Sequence, residues 1–109
     1  MKRSNIFIKD GKSIVQYDTA KYMESLFRKH EKDGFIGCGY DWGSIMLCFI
    51  DENHFLKELW KYFDYDPHND SIFVISDNEQ SLMTFINEFD KICDDEQYIE
   101  YLMSLIDYS

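Results

Sequence analysis

Apolar positions recur along this chain with two periods, and the switches between them predict its elements. Residues 4–9 and 13–17 read as short strands joined by Asp10-Gly11, a dipeptide suited to a two-residue hairpin turn. That turn sets Lys9 opposite Lys12, Phe7 opposite Ile14 and Ile6 opposite Val15. One face then carries Ile6, Ile8, Val15 and Tyr17 and is expected to meet the core. The other carries Asn5, Lys9, Lys12 and Gln16 around the Phe7–Ile14 pair and is expected to be mostly wet.

A helical period follows. Asp18 or Thr19 caps a helix to about residue 32, with Tyr22, Met23, Leu26 and Phe27 inward. Arg28, Lys29, His30 and Lys32 crowd its last turn, where cations suit the helix dipole, and Gly34 supplies the stop. Phe35-Ile36 adds a short extended piece. Gly37-Cys38-Gly39-Tyr40-Asp41-Trp42 then turns into the most apolar stretch of the chain. Trp42, Ile45, Met46, Phe49 and Ile50 fall at i, i+3, i+4, i+7 and i+8, the stripe of a helix over 41–52. Leu47 and Cys48 widen that stripe, which makes this helix the central one. Asp41 stands at its start, where a carboxylate accepts the free N–H groups of the first turn.

Asn53 caps a second helix with Leu56, Leu59, Trp60 and Phe63 inward. Residues 62–65 and 71–76 read as two strands around the loop 66–70. Ile72-Phe73-Val74-Ile75 is uninterrupted apolar and predicts an inner strand buried on both faces. Ser76 with Glu79 fits a capping box that opens a helix to about residue 93, with Leu82, Phe85, Ile86 and Phe89 inward. Asp94 or Asp95 caps a last helix to about 107, whose apolar positions cover more than one face. The element order predicts an α+β fold. It is a small, mainly antiparallel sheet, the N-terminal hairpin plus the inner strand near 71–76, with four to five helices against it. Residues 1–109 form one domain.

Composition narrows the function. Hydrophobic residues make up 45% of the chain and aromatics 17%, enough core material to exclude disorder. No apolar run reaches the roughly 18 residues of a membrane span. Lys9 and Asp10 interrupt the N-terminal apolar stretch too soon for a secretory leader. A soluble cytoplasmic protein is expected. Cys38, Cys48 and Cys93 form neither a CxxC pair nor an even set, and are expected to be reduced and structural.

The net charge of −10 is uneven. Residues 1–33 carry eight Lys/Arg against five Asp/Glu, whereas residues 34–109 carry three against sixteen. Such a field repels nucleic acid and anionic membrane and attracts basic partners.

Candidate chemistry is sparse. Asp64-Tyr65-Asp66-Pro67-His68-Asn69-Asp70 begins like a calcium loop, but Asn69 holds the position of its glycine and Ile75 that of its closing glutamate. It reads as a solvated hairpin loop. His30, His54 and His68 lie in separate segments without the spacing of a metal pair. No P-loop, GxGxxG or GxSxG occurs. The expectation is a chain with no catalytic residues, no metal and no cofactor, not an enzyme.

Gly39-Tyr40-Asp41-Trp42, then Phe63-Asp64-Tyr65-Asp66-Pro67 and Ile72-Phe73-Val74-Ile75-Ser76, resembles the immunity protein 51 family of bacterial polymorphic-toxin systems. The resemblance runs from about Tyr17 to Phe89 and leaves the last helix outside. Cys38, Gly43 and His68 depart from the family's pattern. The resemblance implies a small cytoplasmic antitoxin that binds the C-terminal domain of a cognate toxin and silences it by occlusion. The family's toxins are various, nucleases among them, and a basic cleft on such a toxin would suit the acidic part of this chain. The contact surface is expected at Asp64, Asp66 and Asp70 with Asp94, Asp95, Glu96 and Glu100, and Tyr40 is the GYDW residue expected to reach the partner. Trp42 is expected in the core. The alternative is a non-catalytic interaction or structural module, homodimeric through the last helix.

Overall fold

The structure, a computed structural model, describes residues 4–107. Strand β1 (Ser4–Lys9) turns through Asp10-Gly11 into β2 (Lys12–Asp18). Both turn residues have positive φ, 54° and 76°, as a two-residue hairpin turn of this hand requires. The register is the expected one, with Lys9 on Lys12, Phe7 on Ile14 and Ile6 on Val15. Three helices follow, α1 (Glu24–Lys29), α2 (Gly39–Glu52) and α3 (His54–Trp60). A second hairpin, β3 (Phe63–Pro67) and β4 (Ser71–Ser76), leads to α4 (Glu79–Ile92) and α5 (Glu96–Ser104). The antiparallel sheet has the order β1-β2-β4-β3, and the fold is α+β, as the element order predicts.

Helices α2 and α4 lie across β2, β3 and β4 on one face of the sheet. The core forms there from Val15, Tyr17, Ile72 and Val74 beneath Trp42, Ile45, Met46, Phe49, Phe85 and Phe89, all buried. Trp42 is fully buried, its ring 5.5 Å from Tyr22, 5.6 Å from Phe27 and 6.4 Å from Phe89. Tyr17 is buried beneath α4, and its hydroxyl donates to Asp90 Oδ1 at 3.4 Å. Burial first, then the Asp90 carboxylate, push the phenol far up, so it stays a donor.

Several expectations need correction. Ile6 and Ile8 share a face with Val15 but are 48% and 70% exposed, because the helix layer stops short of the edge strand. Ile14, expected on the wet face, is buried between Phe7 and Ile75 in an inner strand. Strand β4 is inner, yet only Ile72, Val74 and Ser76 are buried; Phe73 and Ile75 are half-buried on a face that no described helix covers. The helix expected from residue 18 or 19 begins only at Glu24. Lys21 and Met23 take positive φ, which an L-residue in a right-handed helix does not adopt. The turn before it is held by Thr19 N–H donating to the Asp70 carbonyl at 2.9 Å. Phe35-Ile36 forms no strand.

Cap positions also shift. Asp41 lies inside the first turn of α2 and reaches backwards, its Oδ2 accepting from Ile36 N–H at 2.8 Å and Gly37 N–H at 2.7 Å. Asn53 is at the start of α3 by backbone, but its side chain donates to the Phe49 carbonyl at 2.7 Å and so closes α2. Phe63 and Trp60 leave the expected α3 stripe: Phe63 enters β3 and Trp60 is exposed. Asn78, not Ser76, caps α4, accepting from Ser81 N–H at 3.0 Å. Asp95 caps α5, accepting from Tyr98 N–H at 3.2 Å. The three cysteines are free thiols, Cys93 buried and the others half-buried.

Gly39 is the residue on which α2 is seated. Its N–H donates to the His68 carbonyl at 2.9 Å. A Cβ there would fall inside the van der Waals radii of the Ser71 and His68 carbonyl oxygens, which are backbone and cannot swing aside. Gly39→Ala is therefore expected to lower stability by about 2–3 kcal/mol in urea unfolding. Trp42→Ala is expected to cost about 3–5 kcal/mol. Tyr40→Ala, one position on and exposed, should stay within about 0.5 kcal/mol of the parent.

Candidate partner interface

Of the three segments that carried the resemblance, the first docks on the hairpin formed by the other two. The N-terminus of α2 docks on the β3–β4 turn, where His68 N–H donates to the Ser71 carbonyl at 2.7 Å and the His68 carbonyl receives Gly39. Next to this contact a groove runs between α2 and β3, lined by Ile36, Tyr40, Leu47, Tyr65 and Pro67 among others. Tyr40 is 56% exposed at its edge. The Tyr65 hydroxyl is buried without a hydrogen-bond partner among the described residues, and burial pushes its pKa up. Leu47 also lines a second depression, with Trp60 and Asp51, so exposed apolar side chains continue along α2.

The expected acidic residues fall into two groups. Asp64 and Asp66 alternate on β3 and project from the sheet face opposite the helices. His68 Nε2 lies 3.1 Å from Asp66 Oδ2. Asp70 ends the hairpin turn, and Asp94, Asp95 and Glu96 form the α4–α5 turn; all four are exposed. Those two turns flank one short segment, since Thr19 binds the Asp70 carbonyl and the Tyr22 hydroxyl donates to the Cys93 carbonyl at 3.4 Å. The hairpin turn at residue 70 and the turn before α5 thus both contact the segment 19–22. Glu100 is different. It is half-buried, 3.0 Å from Lys29 Nζ and bound to His30 Nε2, so α1's basic patch neutralises it internally.

The family comparison reaches further than the motif-bearing stretch. The model of immunity protein 51 matches residues 9–107, which takes in the last helix as well. The chain belongs to the immunity protein 51 family. No curated protein and no solved structure matches it. Among the described residues no helix of this immunity-family chain is long and apolar enough to cross a membrane.

Reasoning from sequence missed several exposed apolar residues of this family member. Ile36 and Trp60 were assigned to an extended piece and to an inward stripe, and Leu47 to the core, yet all three are exposed. The signal available was an apolar stripe on α2 too broad for one buried side. Phe73 and Ile75 were hidden the same way, by a run that reads as doubly buried.

The His30 cluster yields a pH dependence. Hydrogen bonds first to Glu100 and then to Asp33, whose Oδ2 lies 3.1 Å from Nδ1, raise the His30 pKa above its ordinary 6.5. Both ring nitrogens face carboxylates, so the folded chain prefers the imidazolium. Hydrogen bonds from His30 and then Lys29 lower the Glu100 pKa below 4.5. The histidine's contribution is therefore complete below its unfolded pKa and is lost as pH rises through the raised value. The glutamate's is complete above its unfolded pKa and is lost as pH falls through the lowered one. The melting-temperature gap between the parent and His30→Gln is expected to be widest near pH 5–6 and to shrink towards pH 8. A proton-NMR titration of His30 should place its midpoint above 6.5.

Proposed function

We propose that this immunity-family protein neutralises a cognate toxin by binding its C-terminal domain and covering it, through the acidic end built by Asp70, Asp94, Asp95 and Glu96. The observation that supports the reading is that two acidic turns, distant in sequence, both contact the one segment 19–22, while Lys29 and His30 pair with Glu100 and Arg28 pairs with Glu24. Asp64 and Asp66 project from the sheet face opposite the helices and lie outside this end. A toxin with a basic substrate cleft fits this surface, and a nuclease needs such a cleft for the phosphate backbone. Complementary potentials accelerate encounter, and desolvated aromatic contacts slow dissociation. Tyr40, with Ile36 and Leu47 beside it, supplies the apolar contact. The protein acts by occupying a surface, in the cytoplasm of the cell that makes the toxin, and needs no cofactor.

The test uses the C-terminal domain of the cognate toxin. Asp94→Asn, Asp95→Asn and Glu96→Gln together should lower the association rate about tenfold at low salt and flatten its salt dependence. Asparagine at 95 retains an N-cap, so the fold should persist. Tyr40→Ala should instead raise the dissociation rate about tenfold with little change in association. An unchanged association rate in the triple variant would remove the acidic end from the interface. Failure of the chain to bind the toxin and rescue growth would remove the function.

A further inference from the structure

The face of the sheet opposite the helices has a pattern that the toxin-binding end does not use. Strand register aligns its residues in rows across all four strands. One row runs Phe7, Ile14, Ile75, Asp64, and the next runs Asn5, Gln16, Phe73, Asp66. Lys9 and Lys12 pair directly beyond the first row, at the β1–β2 turn. The centre is therefore apolar, with cations on the β1–β2 side and carboxylates on β3 at the other edge. These strands line one open groove that includes Phe7, Lys9, Lys12, Ile14, Asp64 and Ile75. Among the described residues neither lysine, nor Asp64, has an ion-pair partner. A contiguous apolar strip left on the outer face of a sheet marks a contact surface.

We propose that a second copy of this chain covers this face, the two sheets packing about a two-fold axis parallel to the strands. That axis lays β1 of one copy over β3 of the other. Lys9 and Lys12 then approach the Asp64 of the opposite copy twice, and Ile14 meets Ile75 across the axis. An axis perpendicular to the strands would instead set Asp64 against its own copy, which like charges oppose. The charge pattern thus selects one arrangement, and that self-complementarity is what singles out a second copy as the occupant. A face of four strands is only about 19 Å wide at normal strand spacing. The interface falls at the small end of specific contacts, so the dimer is weak and depends on concentration. In it the Asp70 ends of both copies point the same way and stay uncovered, so the toxin reading stands or falls separately.

Sedimentation equilibrium of the full chain from micromolar to millimolar concentration tests this. A monomer–dimer equilibrium weakened by salt is expected. Lys9→Glu with Lys12→Glu should raise the dimer Kd about tenfold, and Asp64→Lys with Asp66→Lys should do the same. Mixing the two variants, or combining all four changes in one chain, should restore association. All four side chains are exposed, and circular dichroism verifies that the variants fold. A monomer at every concentration would overturn the proposal. So would a dimer indifferent to both reversals, which would move the contact to another face, such as that of Tyr101 on α5 and Leu105 just after it. A monomeric chain whose toxin affinity follows the reversals would assign the face to the toxin and likewise overturn it.

Discussion

Two backbone carbonyls in the β3–β4 turn decide where the central helix starts, and most of the structure depends on that. Only a residue without a Cβ can bring α2 close enough for Gly39 to reach His68. Once α2 is seated, Trp42 falls among Tyr22, Phe27 and Phe89 rather than at a helix surface. Asp41 then faces back over the loop and satisfies the amides of Ile36 and Gly37, which would otherwise be unpaired where the chain reverses. A glycine, a carboxylate and an indole, adjacent in sequence, thus join the hairpin, the loop and the core.

The same seating makes the fold one-sided. Helices α2 and α4 bury Val15, Tyr17, Ile72 and Val74, whereas Phe7, Ile14, Phe73 and Ile75 on the opposite face have strand neighbours and, over Phe73, the His68 ring. The edge strand β1 projects beyond the helices, which explains why Ile6 and Ile8 are exposed on the nominal core face. Exposed apolar groups on rigid strands and on α2 present contact area whose ordering is already complete in the free protein, a property suited to binding.

Charge is sorted by the fold as well as by the sequence. Of the basic residues near the end of α1, Lys29 and His30 pair with Glu100 of α5 and Arg28 pairs with Glu24. The contact with Glu100 ties α1 to α5 across seventy residues of sequence.

The sequence by itself determined what local chemistry can determine. Asp10-Gly11 dictated the hairpin and its register, the 3.6-residue spacing from Trp42 to Ile50 marked the central helix, and the pair Asp94-Asp95 marked the start of the last, with Asp95 the cap. The GYDW turn and the strand segments after it were enough to indicate the immunity protein 51 family. Tertiary structure alone decided which apolar residues are covered. Periodicity reports that a face is apolar but not whether another element reaches it, so Ile8, Trp60 and Phe73 read as buried and are not. It also decided which polar groups pair: Asp41 and Asn53 bond to the chain behind them, and Glu100 finds its partners seventy residues away. Those partners are distant in sequence, and only packing brings them within hydrogen-bonding reach.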